Sequence, residues 1–308
     1  MGEQVAPFWS VMIPAYRPDE RLLAETLQSV LAQDEGPERM EVVVVDDASP
    51  DVDVAAMVRR VGGGRVRCEV QAVNRGLAGN WNRCVELARG AWVHLLHQDD
   101  LVRPGFYREM AALVGSCPGA SAAFCRHEFI TPDGRVKSVS GLERETPGVL
   151  EGFVERLFVR QEIQCVSVVV SKATYARVGG YRTDLPFALD WDMWKRIAAS
   201  GHFAYTPKVL AAYREHPGSE TQRLRQATDV YTDELKSIDL ARSYLPEPAA
   251  TRLWRQARRV AHRHEAAARW KWLRTGEART LGNVLRLCVR AAEYFAETAA
   301  GRLRRPAG

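Results

Sequence analysis

Apolar and polar positions follow two different periods through the first hundred residues. Trp9 to Ile13 is a short apolar run that stops at Pro14, which cannot donate to a ladder, and it predicts a strand. Leu22, Leu23, Leu27, Val30 and Leu31 then recur at helical spacing behind Asp19, a residue suited to capping the helix. The run from Glu41 to Val45 holds four consecutive valines, the pattern of a strand buried on both faces of a parallel sheet. A helix over about 51–60 leads into Gly62-Gly63-Gly64, Val66 to Val70 alternates as a strand, 79–88 reads as helix and 91–96 as strand. This β-α-β-α-β series predicts an α/β fold with a mainly parallel central sheet and helices on both faces.

The second part is more mixed. Ala120 to Ile130 and Val166 to Ser171 read as strands, and Pro132-Asp133-Gly134 as a turn. A helix over 190–200 carries Trp191, Trp194, Ile197 and Ala198 on one face. From about Arg223 the Ala-, Arg- and Leu-rich sequence predicts helices, broken near Pro246–Pro248 and at Gly276. No internal repeat is visible.

Composition changes this picture in three ways. With 308 residues, 46% apolar and 26% charged, the chain is an ordinary globular protein with room for one large domain and an appendage. The six cysteines are scattered without a C-x-x-C pair, which argues against a disulfide scaffold or structural zinc and fits a reducing cytoplasm. Neither a signal peptide nor an apolar stretch of about 18 residues is visible, so a cytoplasmic location is expected. The net charge of +5 is uneven: residues 1–220 carry 25 basic and 29 acidic side chains, and residues 221–308 carry 18 and 9. The tail is either a solvated basic face on packed helices or a contact with something anionic.

In a doubly wound sheet, ligands collect beyond the carboxyl ends of the strands. Three such ends turn polar directly after an apolar run: Pro14-Ala15-Tyr16, Asp46-Asp47-Ala48-Ser49 and His97-Gln98-Asp99-Asp100. A carboxylate at a buried strand's exit is costly unless something binds it, although either pair alone also suits a turn or cap. Their joint placement points to a ligand or metal.

These residues, together with Asn74-Arg-Gly76, Val178-Gly-Gly-Tyr181, Leu189-Asp-Trp-Asp-Met-Trp194 and Tyr213-Arg-Glu-His216, resemble the motifs of the GT-A glycosyltransferases, specifically the inverting family 2. The resemblance covers about residues 8–222. It implies a GT-A domain over 1–222, with a nucleotide-binding half at about 1–100 and an acceptor half at about 101–222, followed by a basic helical extension over 223–308. It implies that Pro14, Ala15, Tyr16 and Asp47 surround the nucleotide base, with Arg75 near the base or phosphates. Asp47 would accept the N3–H of uracil or thymine, which favours a UDP- or dTDP-sugar. Asp99 and Asp100 occupy the Asp-x-Asp position, near the nucleotide and a Mn²⁺ or Mg²⁺ ion, with His216 as a further ligand. His97 stands where a first aspartate is common, a departure that removes one acidic ligand. Asp190 matches the family's base, with an N-cap role as the alternative. Asp192 is the fallback base, and Gly180, Trp191 and Asp192 are candidates for lining the donor or acceptor sugar. Arg214 is a candidate phosphate partner.

The implied partners are a nucleotide diphosphate sugar and a carbohydrate, lipid-linked or small-molecule acceptor. The tail is left open between peripheral contact with the inner face of a membrane, a homodimer contact and packing on the catalytic domain; nucleic acid is not expected. A sugar nucleotidyltransferase would need a glycine-rich phosphate loop after the first strand, which Pro14-Ala15-Tyr16-Arg17-Pro18 lacks. A P-loop kinase is excluded by the absence of its motif, and a glycoside hydrolase leaves the nucleotide-type strand ends unexplained. The remaining rival is a domain of the same fold that binds without catalysing.

Overall fold

The computed structural model describes residues 6–275, with side chains placed for all of them except Gln226 and residues 268–275. The apolar runs of the first hundred residues form the parallel half of a ten-stranded sheet. β1 (Trp9–Ala15) is flanked by β2 (Met40–Asp46) and β4 (Trp92–Leu95), and β3 (Val66–Val70) pairs outside β2, all in parallel. α1 (Glu20–Leu31), α2 (Val54–Gly62) and α3 (Gly76–Leu87) make the crossovers. The valines of β2 alternate between two cores. Val42 and Val44 pack with α1 and α2, while Val43 and Val45 pack with α3 on the other face.

β1 continues through Pro14 to Ala15, two residues past the stop expected from the sequence. Pairing with β4 ends at Met12↔Leu95, so the side on which Pro14 lacks an N–H has no partner strand left to serve. Asp19 caps α1 by accepting the Leu22 N–H at 3.0 Å, as its position predicts.

The second half adds β5 (Leu101–Val102), α4 (Phe106–Ser116), β6 (Ala120–Ile130), β7 (Val136–Val139), β8 (Gly148–Val149), α5 (Phe153–Val159), β9 (Val168–Ser171), α6 (Lys172–Val178), α7 (Leu189–Ser200) and β10 (His202–Arg214). The strand order is β3-β2-β1-β4-β9-β6-β10-β5. β9 runs antiparallel between β4 and β6, whereas β6 and β10 are parallel. The result is a mixed α/β sheet, mainly parallel, with helices on both faces, as the pattern predicts.

α8 (Glu220–Ala227), α9 (Val230–Ala241) and α10 (Ala249–Thr275) complete the described chain, and the boundary drawn at 222 falls inside α8. α9 and α10 bury Tyr231, Ile238, Ala257 and Ala261 against Trp191 of α7, and Leu253 of α10 packs with Phe158 of α5. The break expected at Gly276 lies outside the described residues. Among them, no helix is long and apolar enough to cross a membrane, and Cys68, Cys84, Cys117, Cys125 and Cys165 are free thiols.

Candidate active site

Two groups of polar residues lie beyond the carboxyl ends of the parallel strands, and a third occupies the first turn of α7. The first lies beyond β1 and β2. Asp46 is used by its own turn, where its Oδ1 accepts from the Ser49 hydroxyl at 2.6 Å, and Ser49 Oγ accepts the Arg17 N–H at 2.8 Å. Arg17 and Ala48 both have positive φ (46° and 56°), a conformation that costs non-glycine residues about 1–2 kcal/mol. Both strained residues sit in the loops flanking this group.

Asp47 looks the other way, toward α3. Its Oδ1 accepts from Gln71 Nε2 (2.9 Å) and from the Arg75 N–H (2.8 Å) at the start of that helix. Burial pushes its carboxyl above the usual range, opposed by the N–H groups of Arg75 and Gly76. Asn80 ties the two strand ends together by donating to the carbonyls of Ala15 and Val45. Sequence reading passed over Asn80; the signal was a polar residue one turn from both Leu77 and Cys84, in phase with the buried side of α3. The ring of Tyr16 is 40% exposed at the rim.

The second group is the loop after β4. Gln98 bridges it to the first group, its Oε1 accepting from Tyr16 N (3.0 Å) and its Nε2 donating to Tyr16 O (3.3 Å). Asp100 is 1% exposed; Oδ1 accepts the Arg214 N–H at 2.8 Å, while Oδ2 has no hydrogen-bond partner. Burial first, and the neighbouring Asp99 second, push its carboxyl well above the usual range. His97 Nδ1 lies 3.7 Å from that orphaned oxygen, and His216 Nε2 donates to Asp99 Oδ2 at 2.8 Å. His97, Asp99 and Asp100 each offer a ligand atom within 4.8 Å of the others. A buried, unpaired carboxylate oxygen amid these donors fits a divalent cation, whose charge would reverse the cost of keeping Asp100 ionised.

Arg214 is not free to hold phosphate. Its guanidinium is buried and donates to the carbonyls of Asp99 and Pro132 (both 2.8 Å) and to Glu25 (2.6 Å), so it braces the loop from behind.

The third group is the first turn of α7. Asp190 does not cap this helix. Ala188 is the N-cap residue, and Asp233 of α9 accepts the N–H groups of Phe187 and Ala188 at 2.8 and 2.7 Å. That leaves the half-buried Asp190 carboxylate with the Trp191 N–H on Oδ1 (2.6 Å) and Gln161 Nε2 on Oδ2 (2.8 Å). Burial raises its pKa to about 6, against the opposing hydrogen bonds and the charge of Lys195. Trp81 packs 4.9 Å from the His97 ring of the second group and 5.0 Å from Tyr181, in the segment that precedes α7. Burial pushes the Cys165 thiol well up, and the nearby charges of Asp190 and Asp100 add to the shift.

Three residues proposed as sugar contacts have other duties. Asp192 is 0% exposed and held by Arg196 Nε and the Tyr244 hydroxyl, both at 2.8 Å, so it is neither a base nor a sugar ligand. Trp191 is core, its indole N–H donating to Leu157 O and its ring covered by Lys195 at 3.9 Å, because α9 and α10 lie on it. Gly180 makes its close approach to Asn82, whose Oδ1 would sit 2.5 Å from an added Cβ, rather than to an open pocket.

Comparison with known proteins bears on the family and the fold. The model of the family described as "Glycosyl transferase family 2" matches residues 10–163. The chain is 30% identical over 235 residues to an uncharacterized protein of Mycobacterium tuberculosis, covering 71% of this chain and 70% of that one. It is 34% identical over 152 residues to the succinoglycan biosynthesis protein ExoO of Rhizobium meliloti, 48% of this chain and 42% of that protein. A third relative, an uncharacterized Sinorhizobium fredii protein, is 28% identical over 223 residues; the match takes in 70% of this chain but only 23% of that protein's length. Among solved structures, S. aureus TarS 1-349 in complex with UDP superposes with a TM-score of 0.63 at 17% identity, over 81% of this chain and 70% of that one. The mannosyltransferase PcManGT of Pyrobaculum calidifontis, solved with GDP-Man and Mn²⁺, gives 0.60 at 21% identity, over 94% and 81%. These likenesses establish the GT-A fold.

Proposed function

The chain belongs to glycosyl transferase family 2, and from that membership we propose that it moves a sugar from a nucleotide diphosphate to an acceptor hydroxyl with inversion, Asp190 serving as general base. The observation that carries this reading is the Asp190 carboxylate itself: both oxygens are oriented by N–H donors, and its pKa of about 6 suits proton abstraction near neutrality. Inversion needs a single base and no nucleophile. Asp192, the other carboxylate of this turn, is locked away by Arg196 and Tyr244 and is not available to form a glycosyl-enzyme.

Pro14, Ala15, Tyr16, Asp47 and Arg75 are the nucleotide contacts in this reading. The exposed Tyr16 ring offers a face for the base, and the remaining lone pairs of Asp47 accept the N3–H of a pyrimidine, which makes UDP- or dTDP-sugars the preferred donors. Asp99, Asp100, His97 and His216 would hold a Mn²⁺ or Mg²⁺ ion, which when bound stabilises the departing nucleotide diphosphate as a Lewis acid. Asp190 then removes the acceptor proton as the hydroxyl oxygen attacks the anomeric carbon from the face opposite the diphosphate. The acceptor is a growing polysaccharide, a lipid-linked saccharide or a related glycoconjugate.

The tail contributes in two ways. Asp233 sets the start of α7, and the outer face of α10 exposes Arg255, Arg259 and Arg263 at one-turn spacing. We read that stripe as a contact for the anionic inner face of a membrane carrying the acceptor. Trp254 takes no part, because its indole N–H is turned onto Asp239 at 2.7 Å.

The test is incubation of the full chain with UDP-, dTDP- and GDP-sugars and Mn²⁺, following diphosphate release and, by NMR, the anomeric configuration of the product. Inverted product from a pyrimidine donor, abolished by Asp190→Asn, is expected. Retained configuration, or equal turnover by that variant, would overturn the assignment of the base.

A further inference from the structure

Asp190 is held from two directions, and only one of them belongs to its own helix. The second donor, Gln161, comes from the segment between α5 and the 3₁₀ turn Cys165–Ser167. Its amide has a defined orientation, since Oε1 accepts the Ile163 N–H (3.4 Å) while Nε2 donates to Asp190 Oδ2 (2.8 Å). A flipped amide would set oxygen against carboxylate and nitrogen against a backbone donor, so this arrangement alone satisfies both groups.

We propose that Gln161 is a positioning residue for the base: it fixes the rotation of the Asp190 carboxylate and favours its ionised form, leaving one lone pair on each oxygen for the acceptor proton. The proposal rests on the reading of Asp190 as base. A glutamine suits the task better than the alternatives. It donates to the carboxylate without a full charge, which would make the base weaker, and it does not titrate, so it never competes for the proton.

The other titratable groups facing Asp190 are Lys195 on α7, Cys165 in the 3₁₀ turn and Tyr181 before α7. Lys195 is turned away, its ammonium donating to Ser237 Oγ at 2.6 Å and lying over the Trp191 ring. None of these three supplies a direct hydrogen bond to the carboxylate among the described residues. Among the described residues, Gln161 is the one side chain that does.

The experiment compares wild type, Gln161→Leu and Gln161→Glu in the full chain. The Asp190 carboxyl is titrated by ¹³C NMR, assigned with Asp190→Asn, and kcat and KM are measured across pH. Loss of a hydrogen bond to a charged group raises the Asp190 midpoint by about one pH unit in Gln161→Leu, and the acid limb of kcat/KM moves with it. The plateau kcat falls by about tenfold, while the donor KM stays within about twofold. Gln161→Glu, which preserves the shape and carries the test if the leucine variant does not fold, raises the midpoint further because two carboxyls then share a proton. An unmoved midpoint and acid limb in both variants overturn the proposal, and a lower plateau with an unmoved limb marks a merely structural residue. The NMR midpoint needs no turnover, so failure here is distinct from failure of the base assignment, which wild-type turnover by Asp190→Asn would reveal.

Discussion

The strand-exit loops and the first turn of α7 each carry paired aspartates, and the two regions use them differently. At the strand exits the two aspartates of each pair are adjacent in sequence: Asp46 closes its own turn and Asp47 reaches α3, while Asp99 meets His216 and Asp100 keeps an orphaned oxygen. In α7 the fates of Asp190 and Asp192 are decided jointly by neighbours on the helix and by residues outside it. Gln161 orients the first, Arg196 and Tyr244 immobilise the second, and Asp233 of α9 accepts the N–H groups of Phe187 and Ala188 just ahead of the helix. Asp192 is wholly enclosed by its partners, whereas Asp190 is only half-buried beside its two N–H donors.

Separating the two aspartates of α7 gives the largest expected effects. Asp190→Asn should lower kcat by about 10²–10⁴-fold, the range general-base catalysis supplies. Because the folded pKa of Asp190 (about 6) lies above its ordinary value of 3.8, the folded chain binds the extra proton, and this contribution to stability is lost as pH rises through 6. The asparagine variant should therefore melt no lower than wild type at neutral pH. Wild-type kcat/KM should fall tenfold per unit below about pH 6. Asp192→Asn should do the reverse, losing about 3–5 kcal/mol by stranding its Arg196 partner, read by denaturant unfolding. Equal stability losses in the two variants would erase the distinction between them.

At the strand exits, Asp100→Asn should abolish any rise in melting temperature on adding Mn²⁺, while leaving the metal-free protein at least as stable, because the buried charge is gone. The smallest effect is expected of Asp233→Ala, about 1–2 kcal/mol of stability from the lost cap-like bonds, with a rise in the fraction of inactive molecules. If that variant were as stable as wild type, the Asp233 bonds would have no part in setting the start of α7.

What could be read from the sequence follows the same division. The sheet, its two-sided burial and the polar strand exits were legible because each signal lies within a few consecutive residues, such as the four valines of β2 or His97 to Asp100. The first turn of α7 was only partly legible. Asp190 stood out by its motif, but Gln161 lies 29 residues away in a stretch with no periodicity, and Tyr244 lies 52 residues beyond Asp192. Trp191 suits either a sugar wall or the core by its spacing, and the helices that make it core belong to the tail, whose packing no local pattern announces. Gly180 suits either a close backbone approach to a sugar or a simple turn, and the group it approaches is Asn82, far earlier in the chain. Arg214 followed the same logic: its type suggested phosphate, and its three acceptors are brought together only by the fold.

If the strand-exit groups form one site for a nucleotide diphosphate and a divalent ion, the folded chain must be stabilised by the two together. The melting temperature of the full chain with UDP, dTDP, GDP and CMP, each with and without Mn²⁺, reads this without needing the acceptor. A ligand that binds only the native state adds about 2.7 kcal/mol at a hundredfold excess over its dissociation constant. A metal-dependent rise with UDP or dTDP that exceeds those with GDP and CMP is expected. No rise with any nucleotide, in the presence of metal, would contradict the site.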